Sequence, residues 1–548
     1  MSINPRPKWG SFVVHPERIV AVALILAAGY LHVLVLTHAG ALWRDEVGTL
    51  GLATLPEFAE TWRMLIHNAD PILFPVLVRT WAAVGLGSVD FGFRMLGFII
   101  GLSLLAAIWF SARLMRLGWP VLSLALVAIN PALVRWGDSL RPYGLGSALL
   151  LLVVGSVWSF VNGPSRNRYL MASILGLLSV QTLYQSAFFL LAICCAGALV
   201  YLRKGRPREA MATLCIGLPA ALSVVAYAAP LIEARRWLAA QSAGFHPFPM
   251  WIGFFEVLDS SVEGLHWVWL ALLLLAVGLG FATLATGSQT TSDDQRDRSF
   301  FATLNLIIGT VVLLVYHGIT KFQPYPWHWL PAMAFAAVNL EAAIAGWAKS
   351  IQTLWLVFIC FVSIASLPGT IRGAKYGHTN MAVIAAQTLR DAKPGDLICV
   401  YPWYLGITFA RYYTGSAEWV TLPEVNDLRF HRYDLIEQDM LADKPIKPVL
   451  DRIQLALASG HRVWLVGGLP GWKTTDTGAP NPSPVEPQKS NNRWLAADYA
   501  YSRGAEVADF LSKHAQHSWS VGTPLDQGLI GFESARVFVV AGWKSTNS

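Results

Sequence analysis

The chain is written in long apolar blocks separated by short polar ones. Runs of about 20 apolar residues are the length that crosses about 30 Å of hydrocarbon. They recur at 17–38, 92–112, 117–135, 142–161, 168–183, 185–202, 209–230, 264–286, 299–317, 328–346 and 351–368. The pattern predicts a polytopic α-helical membrane protein with about 11 transmembrane helices. The first run exceeds the apolar core of a signal peptide and is expected to remain as an anchor. From about residue 371 the pattern changes. Short apolar runs, DLICVYPW (396–403), HRVWLVGG (461–468) and ARVFVVAGW (535–543), are separated by helix-like stretches such as 380–392 and 451–459. LRDAKPGDLICV reads as a helix, a Pro-Gly turn and a buried strand. The expected organisation is a transmembrane domain over 1–370 and a C-terminal α/β domain over 371–548, the latter with a long loop at 470–492.

One apolar segment does not fit the span length. PILFPVLVRTWAAVGL (71–86) is short and carries Pro75 and Arg79. Basic residues gather on the cytoplasmic side of membrane proteins, so charge decides its placement. If it lies in the interface, Arg18, Arg113 and Arg116, the LRKGRPRE cluster, and Arg296 and Arg298 all fall inside. If it spans, the densest cluster falls outside. An interfacial helix is therefore expected in the first outer loop, with the N-terminus inside and the C-terminal domain outside. Five polar stretches then share the outer face: 39–91, 135–141, the turn near Tyr184, 231–263 and 318–327.

Composition sharpens this reading. Hydrophobic residues make up 54% of the chain and charged ones only 14%, against about 25% charged in soluble domains. The mean hydropathy is +0.46. The 23 tryptophans suit membrane interfaces. A net charge of +7 is accounted for by topology-setting clusters, so no nucleic-acid partner is called for. Four of the five cysteines lie in apolar runs and Cys399 stands alone, which gives neither a disulfide framework nor a zinc spacing. There is no Gly-rich phosphate loop, no dinucleotide fingerprint and no internal repeat.

Candidate chemistry collects on the expected outer face. ALWRDEVGTL places Asp45 and Glu46 directly after the first span. The pair reads either as acids capping a helix that starts nearby or as a carboxylate acting as general base on a hydroxyl or amine at the membrane surface. A phosphate partner would need fixed positive charge. Arg135 and Arg141 in RWGDSLRPYG, and Lys321 with His328 in TKFQPYPWHW, are the cations offered; Arg235 and Arg236 read rather as interfacial anchors. His67 and Asp70, with Asp45, Glu46 or Glu60, could hold a divalent cation, and no other cofactor is expected. Tyr143, Tyr325 and Trp327 either line an apolar groove or belong to the interfacial aromatic belt.

The order of these stretches resembles the GT-C glycosyltransferases, in particular the protein O-mannosyltransferases and the lipid A aminoarabinose transferases of the bacterial branch. The Asp-Glu pair after the first span is similar to theirs. DPILFPVLVRTWAAVGLGSVDFGFRMLGFIIG resembles their His-Pro-Pro-Leu-Tyr segment, and RWGDSLRPYGLGSALLL their Ala-Arg-Pro-Tyr-Ala-Leu stretch. PWHWLPAMAFAA is similar to their late Arg-Tyr-Leu-Leu-Pro segment. RDAKPGDLICVYP is similar to the start of their periplasmic domain. The resemblance implies an inverting enzyme that moves a hexose or pentose from a polyprenyl-phosphate donor to a glycan, lipid or protein of the cell envelope. It implies Asp45 as base with Glu46 as its pair, and the stretch Arg135–Arg141 toward the donor phosphate. Lys321 and His328 are expected beside them on the phosphate, and His67, Asp70, Tyr143, Tyr325 and Trp327 toward the substrates. The chain departs from the pattern in two places: Asp70 stands where relatives carry His, and Arg141 where the aminoarabinose branch carries an acid. Two other classes compete with this reading, a lipid-linked sugar flippase or transporter and a polysaccharide polymerase or ligase.

Overall fold

The computed structural model describes residues 15–68, 70–233, 247–285, 292–320, 324–472, 495–523 and 528–544. Lys321, Arg235, Arg236 and most of the expected loop at 470–492 lie outside the described residues. Among the described residues, nine helices are long and apolar enough to cross a membrane. They are Pro16–His38, Asp90–Leu114, Pro142–Asn162, Ser186–Arg203, Pro207–Val225, Leu265–Ala282, Asp293–Ile319, Pro326–Ser350 and Gln352–Ala374. Large apolar side chains such as Leu26, Ile99, Phe110, Leu274 and Phe361 point outward from them, as lipid-facing positions do. The protein is a multi-pass membrane protein.

Two expected spans take another form. The segment expected at 117–135 is broken at Asn130-Pro131, where the Asn130 side chain accepts from the Ala132 and Leu133 N–H groups and starts the new helix Pro131–Gly137. Leu124–Ala128 before it winds in wider π-type turns. Such irregular backbone survives at membrane depth only when protein covers it, and residues 121–134 are all buried. The segment expected at 168–183 is the helix Arg166–Thr182, 17 residues long, which reaches about 26 Å at 1.5 Å per residue. Its first turn is basic rather than apolar.

The bundle has two chemically distinct ends. At one, Arg203 and Lys204 both pair with Asp297. Arg298 there donates to the Met115 carbonyl at 3.3 Å, and Gln352 bonds Glu17 at 2.9 Å. At the other, Asp45, Arg141, Tyr143 and His328 meet. The segment 71–86 forms the helix Leu73–Ala83, whose 11 residues span about 16 Å and cannot cross the hydrocarbon. Arg79 fixes it by donating to the carbonyls of Ala53, Leu55 and Pro56 at 3.1, 2.7 and 3.0 Å.

Beyond Ala374 the chain builds a five-stranded sheet in the order β2-β1-β3-β5-β4. The strands are β1 Leu397–Val400, β2 Glu418–Thr421, β3 Arg462–Val466, β4 Ala515–Val521 and β5 Val537–Trp543. The first three run parallel, and β5 joins antiparallel to both β3 and β4. Strand side chains alternate between faces: Leu397 and Cys399 enter one core, Ile398 and Val400 the other. A third core lies between this sheet and the bundle, where Leu42, Val47, Leu50 and Phe93 pack with Trp403, Ile407, Val425 and Tyr499. Arg411 and Tyr412 add polar ties through Asp90, and the Leu42 N–H donates to the Tyr412 hydroxyl at 2.8 Å.

The two parts approach closely at Gly51. A Cβ there would sit 2.0 Å from the Arg429 carbonyl oxygen. Gly51→Ala is expected to push residues 427–431 away from the outer helix at a cost of about 1–3 kcal/mol, the usual range for overpacking. A lowered thermal midpoint and faster proteolysis of the tail would register it. An unchanged midpoint would show that the contact is loose.

Candidate active site

The helix Arg44–Ala53 carries the Asp-Glu pair, and its start explains why the two acids part company. Trp43 is extended and caps the helix, and its N–H donates to Glu46 Oε2 at 3.3 Å, the backward reach of a residue three positions into a helix. Glu46 therefore turns inward and is fully buried. Arg94 donates to its Oε1 at 2.6 Å, the Leu140 N–H donates to the same oxygen at 2.9 Å, and the His378 ring lies 3.6 Å from Oε2. Burial raises the pKa of such a carboxyl, but Arg94 and then His378 outweigh it and bring Glu46 to about 2. Burial and Arg94 push His378 down to about 4, so that ring is neutral in neutral solution. Arg94 also donates to the Gly40 and Ala41 carbonyls at 3.2 and 2.7 Å. One carboxylate thus ties together the end of the first span, the start of the second, the turn at 138–141 and the start of the tail.

Asp45, one residue earlier, faces a cavity of ≈ 300 Å³. Arg44, Arg141, Tyr143, Tyr325, Trp327 and His328 line it from the bundle side, with His67 and Asn68 from the first outer loop. Trp403, Tyr404, His431 and Tyr433 close it from the tail. The Asp45 carboxylate lies 3.5 Å from Arg44 Nε and 3.4 Å from His431 Nε2, and Arg141 reaches the Asp45 carbonyl at 3.4 Å. Burial works to raise Asp45, but Arg141, the His431 hydrogen bond and Arg44 overcome it and hold the carboxyl well below the usual range. The Arg44 guanidinium is fixed 4.5 Å from the Tyr404 ring and donates to the Phe532 carbonyl at 3.0 Å, while its backbone N–H donates to Glu533 at 2.9 Å. Beneath the cavity Trp43, Trp136, Trp327 and Phe532 form one aromatic cluster.

The residues singled out in the sequence fall into three groups. Asp45, Arg141, Tyr143, Tyr325, Trp327, His328 and His67 share the cavity wall. Asp70 stands behind it, buried, with Oδ2 3.9 Å from Arg141, and burial pushes its carboxyl up to about 6 against the pull of that arginine. Arg135 lies elsewhere: it donates to the Gly373 carbonyl and sits 5.7 Å from the Tyr376 ring, between the broken segment and the last span. Lys321 is outside the described residues. His67 lies 3.8 Å from Asp434 and stacks on Phe430, and among the described residues no group of three or more His, Cys, Asp or Glu is placed to hold a metal ion.

Several cavity residues carry no signal at the sequence level. Arg44 is visible only as the residue that precedes the two acids. Trp403, Tyr404, His431 and Tyr433 sit in a tail whose visible pattern is that of strands and helices. Only the turn-rich PEVNDLRFHRYD (423–434), with its dense alternating charge, stands apart from that pattern. It lies against the outer loop, with Arg432 held by Asp427 and Asp434 and Arg429 reaching Glu60 at 3.3 Å.

No protein-family model matches the chain. No curated protein matches it. Among solved structures, the chain is similar to the Archaeoglobus fulgidus oligosaccharyltransferase tethered to an acceptor peptide with the NVT sequon, at 11% identity and a TM-score of 0.49, over 94% of this chain and 74% of that one. The same protein in complex with Zn and sulfate is similar at 11% identity and a TM-score of 0.48, over 81% of this chain and 67% of that one. ArnT from Cupriavidus metallidurans bound to undecaprenyl phosphate is similar at 12% identity and a TM-score of 0.48, over 95% of this chain and 97% of that one.

Proposed function

We propose that this chain is a membrane glycosyltransferase that moves a sugar, with inversion, from a polyprenyl-phosphate donor to a glycan, lipid or protein of the cell envelope. The observation that carries the reading is the Asp45 cavity: an ionised carboxylate beside the Arg44 guanidinium, with Arg141 against its backbone carbonyl, walled by aromatic rings at one end of an apolar bundle. Displacement at an anomeric carbon needs a group that takes the acceptor's proton and fixed positive charge for the departing phosphate. Asp45 anchors the first requirement. Arg141 and Arg44 supply the second, since a guanidinium can meet two phosphate oxygens at once. Tyr143, Tyr325, Trp327 and Trp403 give flat apolar faces on which a sugar ring can lie. The polyprenyl chain would stay in the bilayer beside the bundle. The tail, packed over the cavity, would take part in choosing the acceptor. The N-terminus is proposed to be cytoplasmic and the cavity to open on the outer face.

Comparing cell-envelope glycans by mass spectrometry with and without the protein tests the reading. One sugar residue should disappear from one polymer or lipid, and return with the intact gene. Unchanged glycans together with lipid flipping in proteoliposomes would overturn it. Arg141→Ala should weaken binding of undecaprenyl phosphate by about tenfold to about a hundredfold, the loss of a charged hydrogen bond of about 1.5–3 kcal/mol. Unweakened binding would return Arg141 to a purely structural place beside Asp70.

A further inference from the structure

Asp45 is an awkward proton acceptor. Arg141, His431 and Arg44 all favour its ionised form, and a base is most effective when its pKa lies near the operating pH. A carboxylate held this firmly is better suited to orienting another group than to taking a proton itself. The group it touches is His431. Nε2 of that ring is 3.4 Å from Asp45 Oδ1, a separation common for catalytic pairs before substrate draws them together. The other ring nitrogen, Nδ1, is buried and has no hydrogen-bond partner among the described residues. His431 borders the cavity, and its ring is held edge-on by Trp403 at 5.8 Å and stacked by Tyr433 at 6.0 Å. A buried imidazole nitrogen left unpaired costs free energy unless something binds it. Here the one nitrogen faces a carboxylate and the other has no partner, the arrangement in which a carboxylate fixes the tautomer of a histidine base.

We propose that His431, supplied by the tail, takes the acceptor's proton at Nδ1, and that Asp45 orients the ring through Nε2. This rests on the glycosyl-transfer reading and assigns a residue within it. In the step, the acceptor O–H or N–H gives its proton to Nδ1 as its lone pair forms the bond to the anomeric carbon. The bond from that carbon to the phosphate oxygen breaks, and the phosphate leaves with the electron pair toward Arg141 and Arg44. Asp45 stabilises the imidazolium that results, which then releases its proton to water. The charged groups around the ring are Asp45, Arg44 and Arg141 from the bundle and Arg432 and Asp434 on its own segment, with His67 opposite. The tail is then part of the catalytic centre and not only a cover over it.

Membranes from cells that make the protein carry donor and acceptor together, so they serve as the assay, with the affected glycan read by mass spectrometry. His431→Ala and His431→Gln should each lower transfer by about 10²–10⁴-fold, the usual range for a general base, while undecaprenyl phosphate binding stays within about twofold. Added imidazole should restore transfer in His431→Ala, in proportion to its unprotonated fraction as the pH is raised. Rescue of that kind would not arise from a purely structural histidine. Near-normal transfer in His431→Gln overturns the assignment, as does loss of transfer in His431→Ala that imidazole does not relieve. Loss of undecaprenyl phosphate binding in both variants also overturns it, since His431 would then belong to the donor site. If the unaltered protein transfers no sugar, the underlying reading fails and the assignment with it.

Discussion

Asp45→Asn is expected to lower sugar transfer by about 10³–10⁴-fold while leaving the protein folded, the size of loss seen when the carboxylate behind a histidine base becomes an amide. The substitution keeps the shape of the side chain. It removes the negative charge beside Arg44 and the acceptor for His431. An amide can also donate to the imidazole, which would favour the tautomer with Nδ1 protonated and unable to take a proton. The two arginines would then face a phosphate with less competition, so undecaprenyl phosphate should bind as well as before or more tightly. That opposed pair of changes, transfer down and phosphate binding kept, separates a chemical role from a structural one. The Asp45 side chain borders the cavity and is 14% exposed, whereas Glu46 is fully buried. Transfer within about tenfold of the unaltered protein would remove Asp45 from the chemistry. Weakened phosphate binding would instead make it part of the scaffold that holds Arg141.

The architecture was largely legible because apolar run length and strand spacing are local properties. The spans beginning at Pro16, Asp90 and Pro142, and strands such as Leu397–Val400 and Val537–Trp543, lie where the runs place them. The segment 117–135 was misread for a physical reason. Composition cannot distinguish a lipid-facing helix from a broken segment buried among other helices, and Asn130-Pro131 was the only local sign of the break. The site was legible in half. Residues near the ends of apolar runs, such as Asp45, Arg141 and His328, meet at one end of the bundle. Arg135 shows the limit of that logic: the short helix Pro131–Gly137 and the turn after it send Arg135 toward Gly373 and Arg141 toward Asp45. His431 lies 386 residues from Asp45 in the chain, and nothing in either local sequence announces the meeting.

Glu46→Gln is the substitution expected to cost the most stability. Breaking a buried ion pair by neutralising one partner typically costs about 3–5 kcal/mol, because the other charge is left in a poorly solvating interior. Here the charge left behind is the buried Arg94, and the carbonyls of Gly40 and Ala41 give it dipoles but no countercharge. The loss should appear as a much lower thermal midpoint of the full chain in detergent and a smaller amount of protein in the membrane. Combining it with Arg94→Met should cost less than the two changes added together, by about 0.5–3 kcal/mol, since residues in one network do not act independently. Strict additivity would mean that the pair contributes nothing beyond its separate contacts. The sign with pH follows from the lowered carboxyl. With a folded pKa of about 2 against an ordinary 4.5, the contribution is complete above pH 4.5 and is lost as the pH falls toward 2. Raising the pH above neutral should therefore leave this contribution unchanged. A loss of transfer in Glu46→Gln has to be compared per folded molecule, because the carboxylate holds Leu140 one residue from Arg141 and its backbone one residue from Asp45. If the variant is as stable as the unaltered protein and still inactive, Glu46 acts in the chemistry. If activity per folded molecule is preserved, the two adjacent acids divide the work: Asp45 serves the reaction, and Glu46 holds the four segments that place it.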